Sequence, residues 1–164
     1  MKKRLSWLPA ILVMIIIFNF SSKPADISGQ SSLKIADNIY SIYEGLTGQV
    51  KEGEERLNIL RVLDHVVRKG AHITEYAILA AAIAWPLYLR GISGARLAYM
   101  TIGMTAFYAI TDEYHQTFVP GRSGEIRDVL IDTIGAVIGF SLFKIIKSIQ
   151  HKRERDQINK LSCG

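Results

Sequence analysis

Residues 111–132 read TDEYHQTFVPGRSGEIRDVLID and hold three aspartates, two glutamates, a histidine, a glutamine and two arginines. This ionisable stretch starts where one apolar segment, 97–110, ends, and it runs into another, 129–146. Ionisable side chains that face lipid are costly, so such a stretch beside membrane-length helices forms either a membrane-surface site or a well-solvated loop. The rest of the chain decides between these two interpretations.

Two further apolar segments, 5–20 and 71–89, give four in a chain of 164 residues that is 49% hydrophobic. A helix rises about 1.5 Å per residue and must cross about 30 Å of hydrocarbon, which takes roughly 20 apolar residues. Segments two and four are long enough, whereas segments one and three need flanking residues or a thinner bilayer. We therefore predict an all-α polytopic membrane protein with four transmembrane helices.

Basic residues precede the first apolar segment, as they do in a secretory signal sequence. The residues after it, SSKPADISG, offer no convincing small-x-small cleavage site, and three more apolar segments follow. We interpret residues 5–20 as a retained first transmembrane helix, with cleavage as the alternative.

The net charge of +5 is concentrated beside the apolar segments, which argues against a nucleic-acid partner. Basic residues precede the first segment and follow the last, and Arg90 and Arg96 lie in the short connection between the second and third. Four crossings place these regions on one side, which the positive-inside rule identifies as the cytoplasm. The prediction is a multi-pass cell-membrane protein with both termini cytoplasmic, a membrane domain over 1–147 and a basic tail over 148–164.

The single cysteine, Cys163, lies in this tail and allows neither an intrachain disulfide nor a cysteine-based metal site.

The first connector, residues 21–69, is predicted to lie outside the cytoplasm. It starts as a loop in SSKPADISGQSS and continues as two amphipathic helices, one over about 33–46 that Ser32 caps, and one from about residue 54. Two roles remain open for these helices. They lie on the membrane surface or over the outer mouth of the bundle, or they form a lid over a site.

Polar side chains at helical spacing mark the outer ends of three predicted helices. Those in RKGAHITEYAIL, residues 68–79, share one face, which should turn toward the bundle interior. The third helix is predicted to continue through residue 116, with a turn at Pro120 and Gly121. The candidate ligand-binding residues are Arg68, His72, Glu75, Tyr76, Asp112, Glu113, His115, Gln116, Arg122, Asp128 and Asp132.

Small residues predict where helices approach closely. Gly135 and Gly139 form a Gly-x-x-x-Gly face, and the alanine run at 80–84 makes a thin helix.

RKGAHITEYAIL and AITDEYHQTFVPGRSGEIRDVLIDTIGAVIG, in this helix order, closely resemble the VanZ-like family of small bacterial membrane proteins. The resemblance runs from residue 68 to residue 139. Asp132 departs from the pattern, since many members have asparagine there. The positions that match it are Arg68, Lys69, His72, Glu75, Tyr76, Asp112, Glu113, His115, Gln116, Pro120, Gly121, Arg122 and Asp128. The resemblance implies an effect on susceptibility to teicoplanin-type glycopeptides, and it implies no biochemical mechanism.

Three uses of these residues are physically available. Carboxylates and histidines could hold a divalent metal while Arg122 grips a phosphate, which would make an enzyme acting on a lipid-linked phosphate or glycan. The same groups could bind a polar headgroup without chemistry, with Arg122 and Arg127 selecting the anion. They could also form a network of ion pairs that only holds helix ends together. The absence of an HExxH or nucleophile–base motif favours recognition of an envelope lipid or glycolipid at the outer leaflet.

Overall fold

The computed structural model describes residues 5–162, and within them the chain forms five α-helices and no strand. Their bounds are α1 Leu8–Ser21, α2 Ala25–Thr47, α3 Gly53–Tyr88, α4 Gly94–Gln116 and α5 Ile126–Ser162. The all-α prediction is confirmed. Cys163 and the basic residues before residue 5 lie outside the described residues.

Helix α3 is the centre of the bundle, because it packs against all four other helices and shares its largest interface with α5. The sequence predicted two elements here, a connector helix from about residue 54 and a membrane segment over 71–89. The structure contains one continuous helix of 36 residues. The chain changes from amphipathic to apolar near Gly70 without a helix breaker, and a single glycine costs only about 1 kcal/mol in a helix.

Helix α2 begins earlier than predicted, at Ala25 directly after Pro24. Ser32 therefore lies inside the helix and does not cap it, and its hydroxyl donates a hydrogen bond to Asp64 of α3. This contact is one of several between α2 and α3, and a tertiary interface of this kind outweighs the loop propensity of the serines and glycine. The first half of the connector is consequently helical.

Only some of the described helices are long and apolar enough to cross a membrane. By length and composition, α5 is able to cross a bilayer over Ile126–Lys160, and α1 and α2 qualify only as a pair bent by 102°. Four separate transmembrane helices are therefore not confirmed. The reason is that α1 has 14 residues, while α3 and α4 both combine apolar segments with charged turns.

The Gly-x-x-x-Gly face lies where α3 and α5 come closest. A Cβ atom added at Gly135 would lie 2.5 Å from the carbonyl oxygen of Ile73, and one at Gly139 would lie 1.9 Å from that of Ala77. The predicted close approach is confirmed. This contact sets the spacing of the helices that carry the polar residues.

Helix α5 also continues without a break beyond the apolar segment, through residue 162. The tail predicted for residues 148–164 is thus helical in its described part. Its charged side chains are exposed.

Candidate functional site

The carboxyl end of α4 carries a buried hydrogen-bond network. Asp112 accepts hydrogen bonds from the Ser21 hydroxyl at 2.8 Å and from Gln116 Nε2 at 3.2 Å. Glu113 accepts from Gln116 Nε2 at 3.0 Å and from the backbone N–H of Glu125 at 2.9 Å. Helix α4 extends through residue 116 as predicted, and this brings all three polar side chains into the interior.

Glu113 lies beyond the apolar segment 97–110, and its burial raises the pKa of its carboxyl group above the ordinary value. The hydrogen bond from the backbone of Glu125 opposes this shift. The carboxylate is therefore held by donors from its own helix and from the start of α5.

Arg122 joins three parts of the chain. Its Nε and Nη2 donate to the backbone carbonyls of Lys23 and Phe20 at 2.9 and 3.3 Å, and its Nη1 donates to Gln116 Oε1 at 3.0 Å. The turn before it has Gly121 at a φ of 73°, a conformation that favours glycine. Burial lowers the pKa of Arg122, and the positive charge of Arg68 lowers it further.

Helices α3 and α5 bring basic groups against acidic ones. Lys69 pairs with Asp128, and His72 Nδ1 lies 3.4 Å from Asp132 Oδ1. Asp132 is fully buried, and neither of its carboxylate oxygens accepts a hydrogen bond from the described residues. The hydroxyl of the fully buried Tyr76 likewise has no hydrogen-bond partner there. A buried carboxylate without donors calls for a specific explanation.

Arg68 pairs with Asp64 at 3.1 Å, one turn away on the same helix. One sequence interpretation changes. Arg127 is exposed in the first turn of α5, away from the residues that line the cavities. It therefore does not share an anion site with Arg122.

A cavity of about 340 Å³ opens between α1, α2, α3 and Arg122. We call it the first cavity. Its apolar lining consists of Phe20, Ile35, Val67 and Ala71, and its polar lining includes Lys23, Arg68, His72, Glu75, Arg122 and the serines at 21, 28, 31 and 32.

A second cavity, of about 240 Å³, lies beside it. It is lined by Ala25, Ser28, His65, Arg68, Lys69, His72, Gln116, Gly121, Arg122, Ser123, Glu125 and Asp128.

The predicted site residues fall into those that line a cavity, those that lie behind the cavities, and one that lies apart. Arg68, His72, Glu75 and Arg122 line the first cavity, and Gln116 and Asp128 join the second. Behind them, in the interior, lie Tyr76, Asp112, Glu113 and Asp132. His115 lies apart, with its ring 4.5 Å from that of Phe18 on α1.

Sequence reasoning missed the residues that the first connector contributes. Ser28, Ser31 and Ile35 of α2, together with Lys23, line the first cavity. The spacing of apolar residues predicts that α2 is amphipathic. It does not show which other helices the apolar face of α2 packs against. The described contacts between α2 and α3 supply that information.

The metal alternative has little support from the geometry. Across residues 5–162, no group of three or more His, Cys, Asp or Glu side chains is arranged to hold a metal ion. Asp128 is paired with Lys69, and Glu113 is taken up by two hydrogen bonds.

Comparison with known proteins gives one match. The family model VanZ/LLP1 matches residues 6–147, which is most of the chain. The match extends well beyond residues 68–139, on which the sequence resemblance was based. No curated protein and no solved structure matches the chain.

Proposed function

We propose that this chain, which belongs to the VanZ/LLP1 family of membrane proteins, recognises the phosphate-bearing headgroup of an envelope lipid or glycolipid. In this proposal the bundle crosses the membrane four times with both termini in the cytoplasm, and the first cavity faces the outer leaflet. One observation carries it. A single cavity places two arginines beside an apolar wall.

The apolar wall suits the hydrocarbon part of an amphiphile. Phe20 lies at the end of α1, Ile35 on α2, and Val67 and Ala71 on α3. Apolar surface from three helices surrounds one side of the cavity. A ligand with a hydrocarbon chain would bury this surface and gain roughly 25 cal/mol for each Å² removed from water.

The opposite wall suits an anion. Arg68 and Arg122 both line the cavity, and the charge of Arg68 lowers the pKa of Arg122, so the two cations disfavour one another. A phosphate between them would relieve this repulsion, and guanidinium groups bind phosphate oxygens through paired hydrogen bonds. Arg68 Nε is buried without a hydrogen-bond partner among the described residues. Lys23, whose ammonium lies 5.0 Å from the centre of the Phe20 ring, adds a third cation at the rim.

The family resemblance adds the expectation that lipid binding at the outer leaflet changes susceptibility to teicoplanin-type glycopeptides. Expression of the wild-type chain and of Arg68→Gln in a susceptible host tests this link. The account expects reduced susceptibility with the wild type only.

The alternative function, an enzyme acting on a lipid-linked phosphate or glycan, is favoured by one observation. His72 lines the first cavity and has the buried carboxylate of Asp132 3.4 Å behind it. Long contacts of this kind shorten when a substrate binds, and the carboxylate would then orient the imidazole for proton transfer. This alternative expects release of phosphate or glycan from a bound lipid, and loss of that release in His72→Gln with lipid binding retained.

Native mass spectrometry of the purified protein in detergent tests recognition directly. The delipidated protein is titrated with phosphatidylglycerol and, separately, with zwitterionic phosphatidylcholine of the same acyl chains. The test variant is Arg68→Gln. Its matched control is Arg61→Gln, because Arg61 is exposed on the same helix, where it hydrogen bonds to Asn58.

We expect the wild type and Arg61→Gln to retain phosphatidylglycerol in preference to phosphatidylcholine. Arg68→Gln should lose about tenfold or more in affinity, because a hydrogen bond to a charged group contributes about 1.5–3 kcal/mol. Equal affinity of all three proteins for both lipids would contradict the proposal.

A further inference from the structure

The two cavities share one wall. Ser28, Arg68, His72 and Arg122 line both of them. A phosphate held at this wall by the two arginines is therefore able to place one substituent in the first cavity and another in the second. A phosphate monoester has only one substituent to place, whereas a phosphodiester has two.

The second cavity differs from the first in its chemistry. Ala25 contributes the one apolar side chain among the described residues that line it, and the rest are polar or glycine. Lys69 and Asp128 both line it and pair with each other, so their charges are mutually compensated. His65, Gln116, Ser123 and Glu125 add further hydrogen-bonding side chains to its lining.

This lining selects among lipid headgroups. A hydrocarbon chain would separate the polar side chains from water without replacing their hydrogen bonds, at a cost for each group. A quaternary ammonium has no hydrogen-bond donor or acceptor, so it would likewise leave these polar side chains without partners. A neutral group rich in hydroxyls both donates and accepts, and so satisfies side chains of either kind.

We infer that the ligand is a phosphodiester lipid with its phosphate at the shared wall, its hydrocarbon in the first cavity and a neutral hydroxylated headgroup, glycerol or sugar, in the second. The inference rests on the proposed function and adds the class of headgroup to it. A monoester lipid would occupy the first cavity and leave the second to water.

The test separates the two cavities. Ser123 is exposed in the connection between α4 and α5 and lines only the second cavity, so Ser123→Trp fills this cavity and leaves the first intact. The matched control is Ser148→Trp, the same substitution at an exposed position of α5 distant from both cavities. The probes are phosphatidylglycerol, phosphatidic acid and phosphatidylcholine with identical acyl chains, in competition and measured by native mass spectrometry.

We expect the wild type and Ser148→Trp to prefer phosphatidylglycerol over phosphatidic acid by about tenfold, the effect of one or two additional hydrogen bonds. Ser123→Trp should lose this preference and keep its affinity for phosphatidic acid. The inference is overturned if the wild type binds phosphatidic acid as well as phosphatidylglycerol, or if Ser123→Trp keeps the preference. If the wild type binds none of the three lipids, the proposed function itself fails.

Discussion

Replacement of Gly139 by alanine should separate α3 from α5. The added Cβ atom would lie 1.9 Å from the carbonyl oxygen of Ala77 and 2.6 Å from its carbonyl carbon, so the two backbones must move apart by about 1 Å or more. Alanine in place of glycine ordinarily stabilises a helix by about 0.5–1 kcal/mol. Overpacking costs about 1–3 kcal/mol, and here the obstacle is backbone, which cannot turn aside as a side chain does. With the overpacking cost at the upper end of its range, about 3 kcal/mol, the expected net loss is about 2 kcal/mol.

The control is Gly103→Ala on α4, where an added Cβ atom meets no heavy atom within 4 Å. This variant should gain about 0.5–1 kcal/mol from reduced backbone entropy of the unfolded chain. Both free energies of unfolding are measured in detergent micelles by titration with a denaturing detergent, followed by circular dichroism. Opposite signs for the two variants support the close contact. A Gly139→Ala variant as stable as the wild type would refute the reasoning.

Three other predictions test the polar residues and the topology. Ser21→Ala should lower the free energy of unfolding by about 1–3 kcal/mol in the same assay, because it removes a hydrogen-bond donor from the buried carboxylate of Asp112. An unchanged stability would show that water replaces the hydroxyl. Asp132→Asn should raise the melting temperature, because it removes a buried carboxylate that accepts no hydrogen bond from the described residues and has His72 only at 3.4 Å. A fall of several degrees would contradict this. A cysteine at position 123 should react with an impermeant thiol reagent in whole cells, while the natural Cys163 does not. Labelling of Cys163 alone would show that the orientation in the membrane is opposite to the proposed one.

Local patterns in the sequence predicted the polar ends of α4 and α5 well. Asp112 and Gln116 keep helical spacing with the apolar residues before them, so the helix was predicted to continue through them. It ends at Gln116, shortly before the predicted turn at Pro120 and Gly121. The glycines at 135 and 139 indicated a close helix contact because only small residues permit one. These features depend on neighbours within a few positions.

Features that depend on distant parts of the chain could not be read in this way. The pairing of Ser32 with Asp64 joins residues 32 positions apart, and no periodicity shows it. Arg68 was assigned to the start of a membrane helix, which hid Asp64 one turn before it as its nearest partner. The missed pair of Arg68 with Asp64 arose because one continuous helix, α3, was predicted as a connector helix and a separate membrane segment that meet near Gly70.

The buried acid on α5 shows a further limit of sequence reasoning. His72 and Asp132 were both predicted as candidate ligand-binding residues, and the two lie 3.4 Å apart. Spacing could not indicate that Asp132 would be fully buried, since this depends on how closely α3 and α5 approach at the glycines. The same approach determines which side chains reach the cavities and which remain behind them.

Photocrosslinking of a lipid to the reconstituted protein tests the central claim most directly. The probe is phosphatidylglycerol with a photoreactive group in its acyl chain near the headgroup, and the crosslinked peptides are mapped by mass spectrometry. The account predicts crosslinks at Ile35 and Val67 of the first cavity in the wild type, and their loss in Arg68→Gln but not in Arg61→Gln. Crosslinks confined to the exposed apolar face of α5, such as Leu130 and Ile134, and unchanged by either variant, would contradict it.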